Sequence, residues 1–457
     1  MIPSFGETIR FWFRLGWFSF GGPAGQINLM YQTLVEEKKW IDEDQFRHAL
    51  NYCMFLPGPE AQQLATYLGW ILHGTAGGIF AGLFFILPSV FIFIGISIFY
   101  FYYGSASLVI LFFNGVKPAI LSVIFMAFTN LVFKSIKSNG QIFCFLLTSI
   151  GILFFSIPYP YLLLFAMFCG FVSFYFNKNN VTLPQIDTPS VTSSKRSENT
   201  TSLEKVDLQT NLKIKHLEYF EYSEILKQLS RAVTIGLILW TLPLLWILLF
   251  LKKEFLFWKE LILFFSKTAL ITFGGAYAIL PSVADFATHQ AHWISANEMI
   301  DSIAFGESTP GPLVMVLTFV GFLAGANRFG SISYGLLGLL LTAYYTFLPS
   351  FILILGGASI VEKSKESDLL KSAFSYVSVC VCGVIFYLTI FFAKSILIEP
   401  STNWELWVQH PLTQTKYFSF FWTALGVLFL KLKKEYSIFW IFFSGIFFLG
   451  IDLIFHL

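Results

Sequence analysis

The sequence predicts an all-α, polytopic membrane protein built from two inverted-topology repeats with broken or re-entrant helices. Three observations carry this: a composition suited to lipid, long uncharged runs, and a duplication that keeps one offset across separate landmarks. Of 457 residues, 56% are hydrophobic and only 12% charged, against about 25% charged in ordinary soluble domains. Mean hydropathy is +0.69. A soluble fold of this size cannot hide that much apolar surface, whereas a bilayer can.

The uncharged runs come first in the argument. Residues 79–101 and 332–360 contain no Asp, Glu, Lys or Arg, and about 20 apolar residues at 1.5 Å rise cross the hydrocarbon core. A transmembrane β-barrel would instead alternate apolar and polar positions over about ten residues. The first segment, Met1 to Arg14, carries Glu7, Arg10 and Arg14 inside an apolar pattern. It lacks the basic start, apolar core and small-residue cleavage site of a signal peptide, so the first helix is expected to be retained. A net charge of +2 suggests no nucleic-acid partner. The five cysteines, Cys53, Cys144, Cys169, Cys380 and Cys382, lie in apolar segments without zinc spacing and are expected as small buried residues.

The duplication appears when the chain is slid on itself by 253 residues. Phe20-Gly21-Gly22 then falls on Phe273-Gly274-Gly275, Trp40-Ile41 on Trp293-Ile294, and Pro57-Gly58-Pro59 on Pro310-Gly311-Pro312. Arg14 falls on Lys267 and Ser19 on Thr272. Farther on the register drifts, but Leu87-Pro88-Ser89 resembles Leu348-Pro349-Ser350. The chain accordingly divides into a first repeat (1–176), a polar cytoplasmic linker (177–222), a connecting region with one extra helix (223–260) and a second repeat (261–457). The end of the linker, 214–231, has the pattern of an amphipathic surface helix.

Loop charge predicts the orientation of each half, because cytoplasmic loops carry the excess of Lys and Arg. The linker, with Lys195, Arg196, Lys205, Lys213 and Lys215, goes inside, as does the loop 32–47 with Lys38, Lys39 and Arg47. The uncharged 104–107 turn goes outside. In the second half, 282–297 has no Lys or Arg and goes outside, while Lys363, Lys365 and Lys371 go inside. Equivalent loops thus fall on opposite faces, and the extra helix 233–250 supplies the inversion. Lys252, Lys253 and Lys259 fit this pattern poorly. The expected count is about nine full spans and four broken segments.

Inverted repeats with broken helices at matching positions are a recurring plan for transporters, and the breaks point to the transport site. Gly-Gly and Pro-Gly-Pro interrupt apolar stretches in both halves, and irregular backbone at membrane depth is tolerated only where it is buried or lines a cavity. A helix starting after such a break offers free N–H groups and the positive end of its dipole, which together form an anion site. The candidate anion-binding residues are therefore Ser19, Gly21, Gly22, Pro23, Pro57, Gly58, Pro59, Gln62 and Gln63 in the first half. Thr272, Gly274, Gly275, Pro310, Gly311 and Pro312 are their counterparts in the second. Arg14, Lys267 and Lys117 are candidate counter-charges. Glu60, after the first Pro-Gly-Pro, and Glu307, before the second, are candidate coupling or gating acids, since an intramembrane carboxylate is costly. Asp42-Glu43-Asp44 reads as a helix cap. His289-x-x-His292 has a metal spacing but no supporting acid or Cys. There is no P-loop for ATP drive and no nucleophile–base set, so neither an enzyme nor a cofactor is expected.

These same residues resemble the chromate transporter family. The first copy runs Phe11-x-x-Arg14-Leu15-Gly16-x-x-Ser19-Phe20-Gly21-Gly22-Pro23, then Trp40-Ile41, then Leu56-Pro57-Gly58-Pro59-Glu60-Ala61-Gln62-Gln63. The second runs from Thr272-Phe273-Gly274-Gly275 to Gly306-Glu307-Ser308-Thr309-Pro310-Gly311-Pro312. The resemblance covers both halves and implies the long, two-domain form. It implies a multi-pass protein of the inner membrane that exports chromate and confers chromate resistance. Sulfate is a related oxyanion of the same shape and charge, and proton drive is commonly supposed. The expected partners are an inorganic oxyanion and membrane lipid, with a homodimer left open. A sulfate transporter and a passive anion channel are the alternatives. The copies differ: Ala276 stands where the first has Pro23, and Leu313 where it has Glu60.

Overall fold

The computed structural model describes residues 3–19, 22–155, 157–176, 222–273, 276–361, 368–398, 416–433 and 436–455. They are helical, with no β-strand among the described residues. The first half contains α1 (Phe5–Phe18), α2 (Gly22–Tyr31), α3 (Glu43–Phe55), α4 (Glu60–Tyr103), α5 (Ser107–Ser135), α6 (Asn139–Phe155) and α7 (Tyr159–Phe176). A connecting helix α8 (Tyr222–Phe250) follows. The second half contains α9 (Phe255–Ile271), α10 (Leu280–Asp285), α11 (Ala296–Ser308), α12 (Val316–Phe329), α13 (Ile332–Val361), α14 (Asp368–Leu397), α15 (Tyr417–Leu432) and α16 (Ser437–Phe455).

The two halves repeat each other in detail. A π-helical turn follows α2 at Gln32–Glu37 and follows α10 at Phe286–Gln290. Each is closed in the same way. Trp40 and Ile41 both donate their amides to the Leu34 carbonyl, and Trp293 and Ile294 both donate to that of Ala287. Lys39 and His292 precede them with the same φ of 51°. Next come α3 and α11, each with a side-chain cap: Asp42 accepts from the Gln45 amide, and Ser295 forms a capping box with Glu298. Such caps satisfy orphan donors of the first turn.

The long α4 is two helices. His73 and Gly74 leave helical geometry, Gly74 at φ +64°, and the chain doubles back. A Cβ added at Gly69 would meet the Gly77 carbonyl at 2.5 Å, and one added at Gly82 would meet Thr66 Oγ1 at 2.3 Å. Only glycine lets two helices lie this close along their length. The second half makes the same hairpin with an explicit break. Gly330 caps α12 at φ +61°, and α13 returns with Gly338 against the Gly321 carbonyl. The α1 helix lies along the returning arm of α4: Thr8 Oγ1 is 2.9 Å from His73 Nε2, and Gly16 is held against the Phe84 carbonyl and Pro88.

The halves interlock. The α7 helix packs on α14, while its counterpart α16 packs on α5. Likewise α6 packs on α14, and α15 on α5. Contacts that recur with the partners exchanged are those of a twofold pair. Among the described helices α8 has no counterpart. It runs antiparallel to α13, accepting hydrogen bonds from Tyr344 and Tyr345 at the Leu239 and Trp240 carbonyls. It starts at Tyr222 and continues unbroken through 231, so that end of the expected surface helix belongs to this long helix. The rest of the expected linker, 177–221, lies outside the described residues.

Among the described residues six helices are long and apolar enough to span a membrane: Glu60–Tyr103, Ser107–Ser135, Tyr159–Phe176, Leu229–Phe250, Ile332–Gly357 and Ser372–Leu397. Four further apolar helices are 10–17 residues long. The expectation of about nine full spans therefore meets six by length. The difference lies in α6 and α15, of 17 and 16 residues, and in α16, a 19-residue helix of which 437–451 forms the apolar part. The chain is an all-α polytopic membrane protein.

Candidate functional site

The Pro-Gly-Pro turns and the ends of α1 and α9 meet where the halves cross. Each turn places its glycine where only glycine fits, Gly58 at φ +128° and Gly311 at φ +105°. The Gly58 amide donates to the Thr272 carbonyl at 2.8 Å, and the Gly311 amide donates to the Ser19 carbonyl at 2.9 Å. These two bonds are equivalent under the 253-residue offset. A second reciprocal pair surrounds them. Ser89 Oγ donates to the Pro310 carbonyl at 2.8 Å and lies where a Gly311 Cβ would stand. Ser350 Oγ lies where a Gly58 Cβ would stand. Ser89 and Ser350, noticed in the sequence only as register marks, are thus parts of the crossing.

Around this crossing the chain buries polar groups. Ser19, Gln26, Gln62 and Gln63 are each wholly buried. Gln63 Nε2 donates to the Pro57 carbonyl at 2.7 Å, Gln62 Nε2 to Thr66 Oγ1 at 3.0 Å, and Gln26 Nε2 to the Ser19 carbonyl at 3.2 Å. Their Oε1 atoms and Ser19 Oγ have no hydrogen-bond partner. Unsatisfied buried polar atoms cost about 1–3 kcal/mol each, and a bound solute with suitable groups would offset that cost here. The two copies are not equal here: the Thr272 hydroxyl is engaged by the Thr268 carbonyl at 2.6 Å, whereas that of Ser19 is free.

The sequence-predicted residues separate into groups. Ser19, Thr272, Gly58, Gly311, Gln63 and the flanking prolines are brought together. The amides of Gly58 and Gly311, expected to face an anion, are instead engaged in the inter-half bonds. What remains available to an anion is the Ser19 hydroxyl, the Gln62 Nε2 hydrogen not given to Thr66 and the helix starts at Gly22 (φ +67°) and Glu60. Glu60 is half-buried at the first turn of α4, where the helix dipole favours a carboxylate. Glu307 is half-buried near the end of α11 and accepts a hydrogen bond from Tyr277, a partner the sequence did not announce. Arg14 and Lys267 lie on exposed faces of α1 and α9. Lys117 points away from the turns, toward Asn297 on α11. Gly21, Gly274 and Gly275 lie outside the described residues, as does the side chain of Pro23. The expected helix cap at Asp42 is present; His289 sits 3.3 Å from Asp285, and His292 bonds the Thr288 carbonyl. Among the described residues no cluster of His, Cys, Asp and Glu could hold a metal.

Comparisons agree with this architecture. The chain is 26% identical over 393 residues to an uncharacterized transporter of Methanocaldococcus jannaschii, covering 86% of this chain and 85% of that protein. It is 26% identical over 379 residues to a probable chromate transport protein of Synechococcus elongatus, covering 83% and 82%. To a chromate transport protein of Cupriavidus metallidurans it is 22% identical over 396 residues, covering 87% and 84%. No solved structure matches. The chromate transporter family model matches residues 6–171 and 259–450, one stretch in each half, and the chain belongs to the chromate transporter family, a family of ion transporters.

Proposed function

We propose that this protein is a secondary transporter of a divalent tetrahedral oxyanion, chromate in the first place, moving it out of the cytoplasm across the inner membrane. The single observation that carries this reading is the reciprocal crossing of the two Pro-Gly-Pro turns, with buried polar groups of the first half, the free Ser19 hydroxyl among them, beside it. Four interrupted helices converge on that level, and a hydroxyl and carboxamide site beside helix N-termini suits an oxyanion without fixing it irreversibly. The chromate transport proteins among the relatives support chromate as the cargo.

The halves enter the membrane with opposite orientation in this reading. Loop charge supports it, and so do the contacts: the α4–α5 end of the first half touches the start of α11 in the second. Alternating access would then be a rocking of one interlocked half against the other about the crossing. Glu60 and Glu307 would couple or gate this motion. Ser19 binds through its free hydroxyl, Gly22 through its backbone at the start of α2, and Gln62 through the Nε2 hydrogen not given to Thr66, while Gln63, whose Nε2 is given to Pro57 and Ser350, shapes the turn beside them. Ser19→Ala is the test. A charge-assisted hydrogen bond is worth about 1.5–3 kcal/mol, so loss of the hydroxyl is expected to raise KM for chromate about tenfold or more. Thr272→Ala, whose hydroxyl is already engaged, is expected to change it far less. Equal effects at both positions would remove Ser19 from the site.

A further inference from the structure

Away from the crossing, one charge pair among the described residues is buried between the halves. Asp301 on α11 is 6% exposed. Its Oδ2 accepts a hydrogen bond from the Tyr100 hydroxyl of α4 at 2.9 Å. Its Oδ1 is buried without a hydrogen-bond partner, and Lys117 Nζ of α5 stands 4.0 Å from it. That ammonium donates to Asn297 Oδ1 at 3.2 Å, and its side chain is 17% exposed. Asp301 therefore has one oxygen held and one left facing a lysine that is near but not bonded.

The groups acting on Asp301 are few. Lys117 comes from α5, Tyr100 from α4, and Glu298 from one turn earlier on α11. Glu298 is occupied by its cap bonds to Ser295 and by Asn327 of α12. A loose buried ion pair is poor glue, because desolvation offsets most of its attraction. Packing of the fold does not require it either. Under the 253-residue offset the counterpart of Asp301 is His48 and that of Asn297 is Asp44; His48 is exposed, and Asp44 pairs with Arg47 on an exposed helix face. The duplicated architecture stands without the pair in its other copy.

We propose that Lys117 and Asp301 form a charge switch for the transported oxyanion, in which Lys117 is the cation the anion engages and Asp301 the built-in carboxylate that holds it when the anion is absent. This rests on the transporter reading and adds a second anion contact at the outer end of the inter-half interface. The anion and Asp301 compete for one ammonium, so the lysine is neutralised in both states and is never left bare in a low-dielectric setting. Asp301 is a positioning residue here, acting through Lys117. Tyr100 fixes the carboxylate and leaves Oδ1 directed at the lysine.

The competition gives the two partners opposite effects, which a structural ion pair does not. The experiment is equilibrium dialysis of purified full-length protein with labelled sulfate and with chromate, beside uptake into vesicles. Asp301→Asn keeps an acceptor for Tyr100 and removes the competitor; it is expected to tighten oxyanion binding on the order of tenfold. Lys117→Gln is expected to weaken it by a similar factor, and Lys117→Arg to bind as the parent does. Elution as the parent does in gel filtration checks that each variant is folded. Weakening by both Asp301→Asn and Lys117→Gln, or no change in either, overturns the switch while leaving the transporter reading standing. Opposite shifts in protein whose vesicles carry neither anion would keep the competition of Asp301 with a bound anion for Lys117 and remove the transport reading. Failure of the folded parent to bind either anion overturns both.

Discussion

Gly311→Ala isolates what holds the two halves together. A Cβ at this position would lie 1.6 Å from Ser89 Oγ and 2.8 Å from Ser89 Cβ. Rotating the hydroxyl away relieves only the first contact and abandons its bond to the Pro310 carbonyl. Leaving that buried acceptor unpaired costs about 1–3 kcal/mol. A φ of +105° is also foreign to an L-residue and costs about 1–3 kcal/mol more. Gly22→Ala is the matched control. Gly22 has φ +67° with nothing within 4 Å of an added Cβ, so its cost is backbone strain alone, about 1–2 kcal/mol. Apparent unfolding temperatures of the purified proteins in detergent should fall in that order. The double variant Gly311→Ala with Ser89→Gly should recover part of the loss, since the Ser89 Cα would stand 4.0 Å from the new methyl. Equal stability of Gly311→Ala and Gly22→Ala, or no recovery in the double variant, would refute the packing described at the crossing.

Three other outcomes are expected. Gly58→Ala, which meets Ser350 Oγ at 2.4 Å and Gln63 Nε2 at 2.6 Å, should lose transport while still inserting in the membrane; Ser350→Gly alone should not restore it, because Gln63 still obstructs, and full restoration would show that Gln63 gives way. Glu60→Gln should flatten the pH profile of uptake, and an unaltered profile would clear Glu60 of proton handling. Deleting residues 182–205, which lie between the two stretches matched by the family, should leave chromate uptake unchanged, and lost uptake in inserted protein would show that this segment is more than a tether.

Much of this architecture was legible in the sequence because duplication writes it twice. The offset of 253 residues aligned Gly-Gly, Trp-Ile and Pro-Gly-Pro, and the structure returns the same offset in the π turns, the paired φ values of Lys39 and His292, and the two glycine amide bonds. The hairpin inside α4 was hidden, because an apolar run gives no sign of doubling back unless glycine spacing is read as helix contact. Gly69, Gly77 and Gly82 were that sign. Asp301 was missed for a different reason. It sits in a segment polar enough to pass as an ordinary amphipathic helix, and Tyr100 and Lys117 are some two hundred residues distant in sequence. Arg14 and Lys267 matched in register but lie on exposed faces, since an offset preserves position on a helix without saying which way that face looks.

The most direct test of oxyanion transport is chromate uptake into everted membrane vesicles containing the protein, with and without a proton gradient, and with sulfate as competitor. Saturable uptake that depends on the gradient and is inhibited by sulfate is the expected result, and it would establish efflux by a secondary mechanism at a site that reads tetrahedral shape and charge. Absence of chromate uptake in vesicles holding folded protein would contradict chromate as the cargo, and uptake that ignores the gradient would contradict coupling and leave a passive anion pathway.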